Sequence, residues 1–205
     1  MMNKNGLREI KREATAIALA DAAYELAQER GLDGFIVDDV VQKAGYSRRT
    51  FANHFSCKEE AVAAAAISFK NVSEAEALMR EIPAETTPLE IFYRLMKMQL
   101  VEAHIWKLRE LVSLSKRFPT VEPYMLSAFH RLQLSAEEAV STVSQGRYPS
   151  MYTHMLAGAV YGAVLPILEG NVKLRLPGEL AADDPEAVTF EQYLETMFGY
   201  LRGGF

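Results

Sequence analysis

Cysteine is all but missing from these 205 residues. Cys57 stands alone, which excludes an intramolecular disulfide and any cysteine-based zinc finger. No unbroken apolar run reaches the ~18 residues needed to span a bilayer, and the N-terminal MMNKNGLREIKREA has no stretch of the kind that opens a secretory leader. A cytoplasmic protein without a membrane partner is the expectation. Histidine is scarce too, and none of His54, His104, His130 or His154 follows a glutamate at the three-residue spacing of a helical di-iron site. HExxH, a glycine-rich phosphate loop and G-x-S-x-G are likewise missing. Neither an enzyme nor a metal or other cofactor is expected, and the histidines read as polar or packing residues.

What is present is ordinary for a folded protein. Hydrophobic residues make up 49% and charged residues 24%, enough to bury a substantial core. The net charge of −5 argues at first against nucleic acid, but local sign matters more than the total. Residues 1–60 hold nine Lys/Arg against ten Asp/Glu, and the basic ones gather at Lys4, Arg8, Lys11 and Arg12, then at Arg48, Arg49 and Lys58.

Periodicity predicts helices throughout. Ile10, Ala14, Ile17, Ala20, Tyr24 and Ala27 mark one helical face, which Gly31 ends. Val37, Val40, Val41 and Ala44 suggest a short second helix, with Asp38 and Asp39 at its positive N-terminal end and Gly45 as its stop. Ser47 suits the N-cap of a third helix, on which Phe51 and Phe55 share the core side. A short helix, a tight turn at Gly45 and Tyr46 and another short helix form the helix-turn-helix pattern. Ser56-Cys57-Lys58-Glu59 reads as a capping box that opens a fourth helix towards Arg80.

Pro83 and Pro88 bracket a linker. Beyond it, Leu89 to Phe118 is helical but too apolar for one straight surface helix, Thr120 to Gln145 gives another helix, and Pro149 to Gly170 is apolar and rich in small residues. Glu186 to Arg202 is a final amphipathic helix. The expected fold is all-α with about nine helices. It divides into an N-terminal helix-turn-helix domain, residues 1–60, and a second helical domain, residues 61–205, which the family resemblance described below implies to be the effector-binding and dimerisation domain.

A recognition helix reads the major groove with side chains near its N-terminus, and the arginine fork matches guanine O6 and N7. Arg48 and Arg49 stand there. Thr50 and Asn53 can meet a thymine methyl or an adenine edge, while His54 and Lys58 can hold phosphates. Tyr46, Ser47, Arg8 and Lys11 complete the candidate DNA-binding set. The plainer alternative is that the two arginines are only solvated. Lys58, a cation in a helix's first turn, makes sense if a phosphate is bound there, with a solvated surface lysine as the plainer alternative.

Residues 7–62, from LREIKREATAIALADAAYELAQERG through DDVVQKAGYSRRTF to HFSCKEEAV, resemble the N-terminal domain of tetracycline-repressor-like (TetR family) transcription regulators. The resemblance covers more than a quarter of the chain. It implies a homodimer that binds an inverted-repeat operator and lets go when a small molecule occupies the C-terminal domain. Carried over position by position, the DNA contacts fall on Ser47, Arg48, Arg49, Thr50, Asn53, His54 and Lys58. Two positions depart from the family pattern: Ile36 replaces a Thr or Ser cap, and Ala52 replaces an aromatic residue that meets the DNA backbone. The missing aromatic supports a rival reading, an apolar-ligand-binding helical protein that no longer binds DNA.

Two further expectations concern the C-terminal part. Met151, Met155, Gly158, Gly162 and Leu165, with Tyr161 alongside, and then Phe190, Tyr193, Met197 and Tyr200 form stripes suited to a four-helix dimer interface. Phe92, Met96, Trp106, Phe118, Met125, Phe129 and Met155 supply aromatic and thioether surface suited to a small apolar or aromatic effector. His104, Tyr124 and Tyr152 are its candidate polar contacts. Packing within a monomer core is the competing account of both sets.

Overall fold

The computed structural model describes residues 4–67, 79–99, 102–179 and 187–204. The expected all-α fold is what it has: among these residues there are nine α-helices, two short 3-10 turns, no strand, and one isolated bridge between Arg175 and Thr189. The chain divides into two compact units, the first made of residues 1–68 and 110–128, the second of residues 69–109 and 129–205.

In the first unit α1, Lys4–Arg30, packs against α2, Val37–Ala44, and α4, Lys58–Ile67. The second half of α1 is covered: Ala20, Tyr24 and Ala27 are buried as their spacing predicts, whereas Ile10 is 58% exposed. The 27 residues of α1 run about 40 Å, and the ten described residues of α4 run about 15 Å. Ala61, Val62, Ala63, Ala65 and Ala66 of α4 are all buried, and their small side chains let it sit among neighbours on several sides. One neighbour is the turn Pro119–Val121, in which Val121 is fully buried. The expected continuation of α4 towards Arg80 lies outside the described residues past Ile67.

The second unit holds α5, Pro88–Gln99; the first half of α6, Glu102–Arg117; most of α7, Glu122–Val143; α8, Ser150–Leu168; and α9, Phe190–Gly203. The apolar stretch from Leu89 to Phe118 thus resolves into two helices, α5 and α6. Pro88 fits the first turn of α5 because its missing N–H has no partner to lose there. Ile91, Phe92, Leu95 and Met96 turn inward, and α5 packs on α8 and α9. Lys97 pairs with Glu191 and Glu195 at 3.4 Å each, and the Tyr93 hydroxyl donates to Glu195.

The last helix starts at Phe190, later than expected, and Glu186 itself lies outside the described residues. Thr189 explains the difference: its Oγ1 accepts from Gln192 N–H at 3.1 Å while Gln192 Oε1 accepts from Thr189 N–H at 2.9 Å, a reciprocal cap. α8 is by length and composition apolar enough to cross a membrane, a property it shares with many core and interface helices of soluble proteins.

Candidate nucleic-acid interface

The segment from Ile36 to Lys58 is shaped by turn chemistry. Ile36 offers no side-chain cap, but Asp39 Oδ2 accepts from Ile36 N–H at 2.8 Å, so half of the usual box survives the departure. Gly45, at φ 74° and ψ 29°, ends α2 in the left-handed conformation, where a β-carbon would be strained. Tyr46 N–H then reaches back to Val41 O at 2.9 Å, a helix-ending bond that sets the angle of the turn.

α3 is short, Arg48–Ala52. Ser47 caps it as expected, its Oγ accepting from Thr50 N–H at 3.1 Å and lying 2.9 Å from Thr50 Oγ1. Phe51 and Phe55 are both buried, ring centroids 5.7 Å apart, although the helix ends before Phe55. Their burial turns the opposite side outward. Tyr46, Ser47, Arg48, Arg49, Ala52 and Asn53 are exposed, Thr50 and His54 half-buried, the His54 ring 6.3 Å from that of Phe55. Arg8 and Lys11 lie on the uncovered half of α1 and are exposed too.

α4 begins one residue later than the expected capping box. Glu60, not Glu59, reaches back: its Oε2 accepts from Ser56 N–H and from Ser56 Oγ, both at 2.7 Å. Cys57 Sγ takes the capping position, 3.4 Å from Glu60 N. Lys58 Nζ donates to the carbonyls of Leu32 at 2.6 Å and Phe35 at 2.8 Å and stands 4.9 Å from the Phe35 ring centroid. This is why a cation is tolerated in that first turn. A phosphate contact by Lys58 would use the ammonium's third proton or replace one of these bonds.

The residues considered for an effector are dispersed. Phe118, Tyr124 and Met125 belong to the first unit, and the neighbouring Cys57 thiol holds the Tyr124 phenol above the ordinary value. In the second unit Phe92, Met96 and His104 are buried and Phe129 half-buried. Trp106 donates from Nε1 to Pro177 O at 3.0 Å, with the Arg109 guanidinium over its ring. Tyr152 and Met155 face outward, Tyr152 stacked on Tyr148.

The α8 stripe is exposed in the single chain: Met151 at 71%, Met155 at 67%, and Gly158 and Gly162 with them, while Leu165 is half-buried. Tyr161 instead turns inward, its hydroxyl reaching Leu132 O and its phenol raised by burial. On α9, Phe190 and Met197 are buried within the chain, Tyr193 donates to Ala163 O at 2.9 Å, and Tyr200 is exposed.

Burial, with the Lys107 charge second, brings the His104 pKa down to about 4. The folded value lies below the unfolded one near 6.5, so the unfolded chain takes up the proton first. Stability from the neutral ring is complete above about pH 6.5 and falls towards pH 4, by about 3 kcal/mol at most. His104→Gln, which has no such proton to gain, is expected to flatten this part of the stability curve in urea titrations. An unchanged slope would assign the loss to carboxylates.

Asp38 was legible only as an acidic residue favouring the start of α2. In the structure its carboxylate meets Arg48 Nε, so the candidate reading arginine carries an acidic neighbour that spacing along one helix does not reveal.

Comparison with known proteins meets this same segment. Residues 19–65 match the family described as bacterial regulatory proteins, tetR family. Over 59 residues the chain is 41% identical to the uncharacterized HTH-type transcriptional regulator YwcC of Bacillus subtilis (strain 168), a match spanning 29% of this chain and 26% of that protein. The match thus spans about a quarter of the relative's length. Together with the buried phenyl pair, the Gly45 turn and the outward arginines, it gives the N-terminal part of the chain the sequence pattern and the geometry of a tetR-type helix-turn-helix domain.

Proposed function

We propose that the chain is a cytoplasmic, homodimeric transcriptional repressor that binds an inverted-repeat operator and is released by a small, mainly apolar effector. The observation that carries this reading is the outward placement of Arg48 and Arg49 on α3, opposite the buried Phe51 and Phe55. Arginine there is suited to guanine in the major groove, and the charges on Lys11 and Arg8 to the flanking backbone. Residues 1–60 act as the reading domain and 61–205 as the effector and dimer domain.

For the dimer, the support is the exposed side of α8, from Met151 through Met155 and Gly158 to Gly162, together with Thr196, Gly199 and Tyr200 of α9. A large exposed apolar face is costly in a monomer, and its glycines permit close helix approach. For the effector, the support is the aromatic and methionine content of the second unit around Phe92, Met96 and Phe129. Release requires that the ligand bind the DNA-free shape more tightly than the bound one, because equal affinity shifts nothing.

The test is an electrophoretic shift with duplex DNA from around the protein's own coding region. A salt-sensitive shift that random duplex does not compete away is expected, and a panel of hydrophobic compounds should include some that abolish it while raising the melting temperature. Ala52 favours a second reading, since an exposed alanine replaces the aromatic backbone contact. Ligand-induced stabilisation without any DNA shift would identify the chain as an apolar-ligand-binding protein instead.

A further inference from the structure

α2 opens with two aspartates, and the structure gives them different work. Asp39 does the capping, with Oδ2 on Ile36 N–H at 2.8 Å and Oδ1 3.6 Å from Arg30 Nη1. Asp38 contributes nothing to that cap. Its carboxylate meets Arg48 across the turn, with more than half of each side chain still exposed. An exposed ion pair adds little to folding, and a carboxylate on a phosphate-facing surface repels the ligand. On both counts an aspartate is a poor choice there unless it acts on the arginine.

The position of the contact says how. Asp38 Oδ1 meets Nε, the inner nitrogen of the guanidinium. The terminal edge, Nη1 and Nη2, remains as the edge that can address guanine O6 and N7 in a bidentate pair. A held arginine loses less conformational freedom on binding and presents its fork in one direction.

We infer that Asp38 is a specificity-determining residue: it orients Arg48 for guanine and lowers affinity for all other DNA. The inference rests on the DNA-reading role proposed for α3. It makes Asp38 a positioning residue, acting through Arg48, and its two effects have opposite signs. Removing the charge raises affinity for random duplex, while freeing Arg48 lowers the preference for guanine at the base pair that it reads.

The experiment uses the full chain and a pool of randomised duplexes, from which the wild type selects its preferred site. Binding to that site, to variants of it at each base pair and to random duplex is then measured for wild type, Asp38→Asn, Arg48→Ala and the double variant. Because Asp39 holds the cap, Asp38→Asn is expected to fold with an unchanged melting temperature. Its preference for guanine at one position per half-site should fall by about tenfold, its affinity for random duplex should rise, and in the Arg48→Ala background the preference should not change further. If Asp38→Asn moves preferred and random duplexes alike, or keeps its effect on preference without Arg48, the inference fails while the DNA-reading role stands. If the wild type selects no site at all, that role fails and takes the inference with it.

Discussion

Replacing Gly158 and Gly162 together by glutamine is expected to leave a folded chain that is monomeric and binds its operator at least about a thousandfold more weakly, near the level of non-specific binding. Neither glycine has a neighbour within 4 Å of where a β-carbon would stand, so the chain itself accommodates the new side chains. Glycine inside a helix is unfavourable relative to residues with a β-carbon by roughly 0.5–1 kcal/mol, so the isolated chain should if anything gain stability. In a dimer through α8 the same side chains separate two helices that need close approach. The loss on DNA is large because two half-sites held by one dimer bind as a linked pair, and a monomer keeps only one of them. Light scattering at micromolar concentration with the operator shift reads both effects. A variant that remains dimeric with full affinity would move the interface away from α8.

Arg48→Ala and Arg49→Ala are each expected to weaken operator binding by about 1–3 kcal/mol per half-site, roughly five- to 150-fold, and to relax discrimination at particular base pairs. Both side chains are exposed on α3, so their removal leaves the buried pair Phe51 and Phe55 untouched and the fold intact. Loss at one base position, with other positions still discriminated, is the signature of base reading. A uniform loss over all sequences, with a shallower salt dependence, would mean that the arginines hold phosphate only. Unchanged affinity in both variants would overturn the reading role of α3.

The helix-turn-helix was legible because its signals are local. Gly31, Gly45 and Ser47 act within a few residues, and Phe51 with Phe55 needs only the helical spacing. Lys58 was not legible in the same way. Its partners Leu32 and Phe35 lie 26 and 23 residues away and are backbone carbonyls, which leave no trace in residue type. The pairing of Asp38 with Arg48 crosses a turn whose angle had to be known first. On α8 spacing grouped Met151, Met155, Gly158 and Gly162 on one face, but the helix is apolar on nearly every side. Thr153, Ala157, Val160 and Val164 go inward while the larger apolar Met151 and Met155 stay outside, so hydrophobicity does not rank its faces. On α9 the inward side is Phe190, Leu194, Met197 and Phe198, which takes two members of the stripe chosen for an interface into the chain's own core.

In the DNA-reading role proposed for it, the brevity of α3 limits how much sequence one copy of the protein can distinguish. Five residues rise about 7.5 Å along a helix, little more than two base-pair steps of ~3.4 Å each. One such helix therefore spells out a word of two or three letters, which recurs constantly in any genome. Longer words must be assembled from a second copy, from the neighbouring end of α2, or from the bendability of the duplex between half-sites. On the DNA-reading role proposed above, substitutions that lengthen this vocabulary should be sought at the edges of the helix, at Ser47, Ala52 and Asn53, as well as at its arginines.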